Sequence, residues 1–136
     1  AMRDAHAGEI IAMIGPTIQQ PSYQVRAEMR EEALALMPPA LQDLAASCFI
    51  ADGANHFRFD LPTLVRHQLK ACKVHAIHDC GVDTYCYADH ADGPDADSLP
   101  FFSHRRATHD HQPDSGRQIS VIRLGSARST VSSGHR

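Results

Sequence analysis

His56-Phe57-Arg58-Phe59-Asp60-Leu61-Pro62-Thr63-Leu64-Val65-Arg66-His67-Gln68-Leu69-Lys70-Ala71-Cys72-Lys73-Val74-His75-Ala76-Ile77 is the stretch on which the fold turns. Its first four residues alternate polar and apolar, as a half-buried strand does. Asp60 then stands where a helix N-cap belongs, and Pro62 is tolerated in the first turn, where an N–H would have no partner anyway. Leu61, Leu64, Val65, Leu69 and Cys72 fall on one apolar stripe at helical spacing. Val74 to Ile77 reads as the next strand. A strand, a capped amphipathic helix and a second strand in direct succession predict an α/β or α+β domain, with mixed β-sheet layers and flanking helices.

Working outward, Glu9-Ile10-Ile11-Ala12-Met13-Ile14 is a nearly continuous apolar run closed by Gly15-Pro16, which predicts a buried strand ending in a turn. Val25, Met29, Ala33 and Leu36 recur at helical spacing and predict an amphipathic helix that Pro38-Pro39 ends. Residues 40–46 read as a further turn or two of helix, and Phe49-Ile50 as a brief extended piece. Met13, Met29 and Met37 lie on apolar stripes and are expected in the core. Downstream, residues 79–98 read as a loop, and Phe101-Phe102 and Gln118 to Leu124 as the last two strands. Residues 1–8 resemble the end of a helix stopped by Gly8, so the chain opens as if something preceded it. The sequence beyond Leu124 is rich in Ser, Gly and Arg, and is expected to be a disordered tail over 125–136.

Composition bounds the function. The chain has 136 residues, 43% of them hydrophobic and 21% charged, with a formal net charge of −3. That is one domain of ordinary globular character, and its weakly acidic balance argues against a dedicated nucleic-acid binder. No apolar run approaches the roughly 20 residues of a membrane span. No secretory leader is visible, and four irregularly spaced cysteines read as reduced thiols, which places the protein in the cytoplasm. The charge is unevenly mixed: six Asp and no Lys or Arg between Asp79 and Asp97, then six Arg and two Asp between Phe101 and Arg136.

Several segments occur in one order: Ile14-Gly15-Pro16, Ser22-Tyr23-Gln24-Val25, Phe59-Asp60-Leu61-Pro62, Asp83-Thr84-Tyr85, Phe101-Phe102-Ser103-His104-Arg105-Arg106-Ala107-Thr108-His109 and Pro113-Asp114-Ser115-Gly116-Arg117-Gln118-Ile119-Ser120. Together they resemble the C-terminal half of the YfiH-type laccase-domain proteins, across residues 9–124. That family has been described as multicopper polyphenol oxidase and as metal-dependent purine nucleoside phosphorylase with adenosine deaminase side activity. The resemblance therefore implies residues 1–124 as the C-terminal half of such a domain, taking a purine nucleoside such as inosine or adenosine, together with phosphate. It also implies a zinc or copper held by two His and one Cys of an N-terminal half absent here. His6-Ala7-Gly8 imitates the start of one ligand motif, but Glu9 follows where the family has Trp, so His6 is read as helix and not as a ligand. No metal ligand and no catalytic residue is thus expected in this chain. Without the missing half it is expected to be inactive, and either to pair with that half or to self-associate. The matching half also departs from the family pattern, with Thr17 for Cys, Gln19 and Arg26 for Gly, His104 for Tyr, and extra residues around 88–98.

Arg105, Arg106 and Arg117 are the candidates for holding phosphate, because a guanidinium presents a planar fork to two phosphate oxygens. Asp83-Thr84-Tyr85 could present hydroxyls, Tyr85 among them, to a purine or ribose; it could equally be a turn in which Asp83 bonds its own backbone. His104, His109 and His111, with Cys80, Cys86 and His90 upstream, invite a zinc proposal. The five residues between Cys80 and Cys86 do not match the short ligand spacing of structural zinc sites. The alternatives to the enzyme reading are a truncated non-catalytic interaction domain and a small His/Cys metal-binding protein.

Overall fold

A computed structural model describes residues 9–86, 101–114, 116–117 and 119–121. The described elements run β1 (Ile11–Ile14), β2 (Gln24–Arg26), α1 (Ala27–Ala35), α2 (Gln42–Ser47), β3 (Phe49–Ala51), β4 (His56–Phe59), α3 (Leu61–Ala71), β5 (Ala76–Asp79) and α4 (His104–His109). Short 3-10 turns at Gln20–Ser22 and Pro39–Leu41 precede β2 and α2. The strands form two sheets, a parallel pair β1-β5 and an antiparallel sheet in the order β2-β4-β3, with helices beside them. The α/β class read from the sequence is the class observed.

The antiparallel sheet carries the core. Phe49 stands directly opposite Phe59 in the β3–β4 hairpin, and their rings stack at 4.3 Å and 3°. Tyr23 lies against Phe59 at 5.4 Å, and Phe57 meets Phe49 edge-on at 6.5 Å. Val25, Ala45, Cys48 and Leu64 complete the buried cluster, with Met29, Ala33, Leu34 and Met37 packed against it from α1 and the residues that follow. Burial also pushes the Cys48 thiol above its ordinary pKa, aided by the nearby Asp60 carboxylate. The hairpin closes through Asp52-Gly53-Ala54-Asn55, with Gly53 at φ 102, a conformation costly for any residue with a Cβ. Asp52 accepts from Gln24 Nε2 at 2.8 Å and pairs with Arg58 Nε at 2.6 Å, which ties β2 to the hairpin.

α3 forms as its sequence dictates. Asp60 Oδ1 accepts from the Thr63 N–H at 3.0 Å, and Pro62 and Leu64 are buried. Arg66 Nη2 on its inner side pairs with Asp79 Oδ2 at 2.9 Å, which docks the helix on β5.

Several expectations are corrected. β1 forms where the apolar run predicted, yet only Ile14 is buried; Ile11 is 62% and Met13 69% exposed. Side chains alternate along a strand, so Ile11 and Met13 share the face opposite Ile14, and that face is bare among the described residues. Val25 belongs to β2, not to the helix, and Leu36 is exposed just past the end of α1. Cys72 is an exposed C-cap and not part of the buried stripe. The strand expected at Val74–Ile77 lies at Ala76–Asp79. Phe101-Phe102 is not a strand but leads into α4, because the Ser103 hydroxyl accepts from the Arg106 N–H at 3.3 Å and caps a helix. Residues 119–121 are in no strand, and Ile119 and Val121 are exposed. The expectations for residues 1–8, 87–100 (including His90), 118, and 122–136 lie outside the described residues.

Candidate functional site

The loops that follow the two parallel strands are zipped together. Thr17 N–H donates to Val82 O at 3.1 Å, Thr84 N–H donates to Thr17 O at 3.2 Å, and Thr17 and Asp83 form a parallel bridge. Asp83 holds this junction: its Oδ2 accepts from the Ser22 hydroxyl at 2.6 Å and its Oδ1 from the Tyr85 N–H at 2.8 Å. The second contact is the local turn bond that the sequence left open as an alternative.

A cavity of about 760 Å³ opens beside this junction, past the carboxyl ends of β1 and β5. The carboxyl end of a parallel pair is where α/β proteins commonly build sites, since both strands deliver loops there. Pro16, Thr17, Ile18 and Thr84, from the two zipped loops, line it together. Tyr23, Phe102, Ser103, His104 and Arg105 also line it, as do Gly116, Arg117 and Ser120. Phe102 lies so close to Gly116 that a Cβ there would sit 2.5 Å from the ring.

The sequence-predicted residues separate. Arg105 is half-buried in the cavity wall; its Nη2 donates to Gln24 O at 2.6 Å and its guanidinium lies over the Tyr23 ring at 5.7 Å. Its other two guanidinium nitrogens have no partner among the described residues. Arg117 also lines the cavity, exposed, with Nη1 on Gly116 O at 2.6 Å and near Asp114 Oδ1 at 3.4 Å. Arg106, one position along α4, is not in the lining. Its Nη1 donates to Thr84 O at 2.8 Å and Tyr85 O at 3.0 Å, and its Nη2 to Phe101 O at 2.6 Å. Tyr85 is also outside the lining, with its hydroxyl on His109 Nδ1 at 2.9 Å.

Among its described members, the His/Cys constellation does not assemble. His104 lines the cavity, His109 is taken by Tyr85, and Cys86 Sγ lies 3.2 Å from Ser22 Oγ. Among the described residues no group of three or more His, Cys, Asp or Glu could hold a metal ion, so these residues do not fit the metal of the family enzyme. Sequence reasoning missed Tyr23 and Ser103 as members of the site. Ser103 was findable as a Ser heading a short run of helix-compatible residues; Tyr23 reaches the site only through tertiary folding.

The site thus joins the loops at the ends of two parallel strands to a guanidinium and hydroxyls carried by α4 and the residues around it. The chain belongs to the multicopper polyphenol oxidoreductase laccase family, whose sequence profile matches residues 1–125. It is 31% identical over 118 residues to a purine nucleoside phosphorylase of Rickettsia conorii, an alignment covering 85% of this chain and 42% of that protein. The chain thus spans less than half the length of that relative.

Proposed function

We propose that this chain forms the phosphate- and ribose-facing wall of a metal-dependent purine nucleoside phosphorylase acting on inosine or adenosine. The observation that carries the reading is Arg105, half-buried at the cavity, with two guanidinium nitrogens uncommitted among the described residues and the side chains of Thr84, Ser103 and Tyr23 beside it. In phosphorolysis a phosphate oxygen attacks the anomeric carbon, and the base leaves with the electron pair of the glycosidic bond. Arg105 would hold two phosphate oxygens in its fork, neutralise their charge and aim the third at that carbon. Arg117 would add a second, more exposed cation. Ser103 accepts from a backbone N–H but keeps its own proton to donate to ligand. Arg106 and Tyr85 are left out of this clamp, because their polar groups are spent within the protein. The zinc or copper chemistry belongs to the N-terminal half of the intact family protein.

The bare face of β1-β5, with Ile11 and Met13, is the surface on which we place that half. Parallel sheets are ordinarily covered on both faces. The four cysteines are all unpaired, and we place the protein in the reducing cytoplasm on that ground. The test supplies the N-terminal portion of a family member alongside this chain and measures hypoxanthine released from inosine as phosphate is varied. Activity is expected only with both parts. Arg105→Ala is expected to raise the phosphate requirement about tenfold or more, with nucleoside affinity little changed. A reconstituted enzyme indifferent to Arg105→Ala would refute the assignment.

A further inference from the structure

We infer that Arg106 is the positioning residue of this site, a single guanidinium that fixes the Thr84 wall of the cavity against its Phe102–Ser103 wall. The inference builds on the reading of the cavity as a binding site. Adjacent helix residues point about 100° apart. Arg105 can therefore face the cavity while Arg106, next to it, faces the two chain segments behind it. Those segments are remote in sequence: Thr84 and Tyr85 follow β5, and Phe101 leads into α4 after the long, Asp-rich stretch between them.

Arg106 joins them from one point. Nη1 holds the carbonyls of Thr84 and Tyr85, Nη2 holds the carbonyl of Phe101, and the backbone N–H of the same residue takes the Ser103 hydroxyl oxygen. Thr84, Phe102 and Ser103 all line the cavity, so each wall is fastened beside a bond to Arg106. All three of these acceptors are carbonyls, and among the described residues the guanidinium meets no carboxylate. A planar fork is needed because its donors diverge toward both segments; an ammonium presents its three donors from one atom. The width of the cavity thus depends on a side chain that does not touch the ligand.

The experiment follows amide hydrogen exchange and inorganic phosphate titration by NMR on the full 136-residue chain. In Arg106→Ala, amides of residues 84–86 and 101–107 are expected to exchange about tenfold faster or more, with β2, β3 and β4 unchanged. Phosphate affinity is expected to fall by about tenfold, since a misplaced wall loses much of its contact. Added methylguanidinium should restore both readouts and methylammonium neither. Should Arg106→Ala fail to fold, Arg106→Lys keeps the charge and most of the stem and is expected to loosen the same amides. Wild-type exchange at those amides in either folded variant, or equal rescue by methylammonium, overturns the inference. Failure of the wild-type chain to bind phosphate would overturn the functional reading alone, and the exchange data would still decide the role of Arg106.

Discussion

Replacing Phe59 by Ala is the perturbation that most directly tests where this chain keeps its core. Phe59 is 2% exposed, stacked on Phe49 at 4.3 Å and packed against Tyr23 at 5.4 Å. Truncating a buried Phe to Ala costs about 3–5 kcal/mol from lost transfer energy and the cavity left behind. The aromatic pairing contributes about 0.5–1.5 kcal/mol of its own, part of which lies within that range. Small domains have about 5–15 kcal/mol in total, so the loss is a large share. Met13→Lys is the control: an apolar strand residue by sequence, but 69% exposed. Exposed substitutions of that kind change stability by about 0.5 kcal/mol or less. Urea titration followed by far-UV circular dichroism gives both values by linear extrapolation. If Met13→Lys costs as much as Phe59→Ala, or Phe59→Ala less than about 1.5 kcal/mol, the placement of the core in the antiparallel sheet is wrong.

Asp60→Ala should destabilise the chain by about 1 kcal/mol, read in the same urea titration, because it leaves the Thr63 N–H without its cap. Cys48 titrates higher folded than unfolded, so its contribution is present at neutral pH, below the unfolded thiol pKa, and is lost as pH rises through the folded value. Cys48→Ala should therefore flatten the alkaline fall in thermal midpoint, and a thiol reagent at neutral pH should label exposed Cys72, Cys80 and Cys86 well before Cys48. Gly116→Ala must push the Phe102 ring aside and hold φ near 63°. With the strain of positive φ at about 1–2 kcal/mol, phosphate binding should weaken more than global stability, as separate titrations would show.

What could be read from the sequence was what local chemistry decides. α3 carries its own cap, its proline and its stripe, and needs no distant partner to be recognised. β1 was legible as a strand but not as an exposed one, since the burial of Ile11 and Met13 depends on whether a second layer covers them. α4 was missed because His104 to His109 has no apolar stripe; Ala107 alone is buried, and tertiary bonds to Arg105 and Arg106 hold the helix in place. The same limit applies to the site. A motif search marks Arg105 and Arg106 alike, and only three dimensions show that one meets the cavity and the other three carbonyls. Tyr23 and Thr84 come together across the zipped loops, a juxtaposition to which no spacing in the sequence corresponds.

The pairing of β1 with β5 also sets an order of events in folding. Its first contacts join Ile10 and Ile11 to His75 and Ala76, so the whole three-stranded sheet and α3 lie inside the loop to be closed. The β3–β4 hairpin closes over four residues, from Asp52 to Asn55. Short-range contacts form early, while long-range parallel pairing must first meet the entropy of a long closure. The hairpin and its aromatic stack are thus the early event, and the β1-β5 pair is the late one. Because the cavity is framed by the loops leaving that late pair, its walls come together only when the longer closure is made.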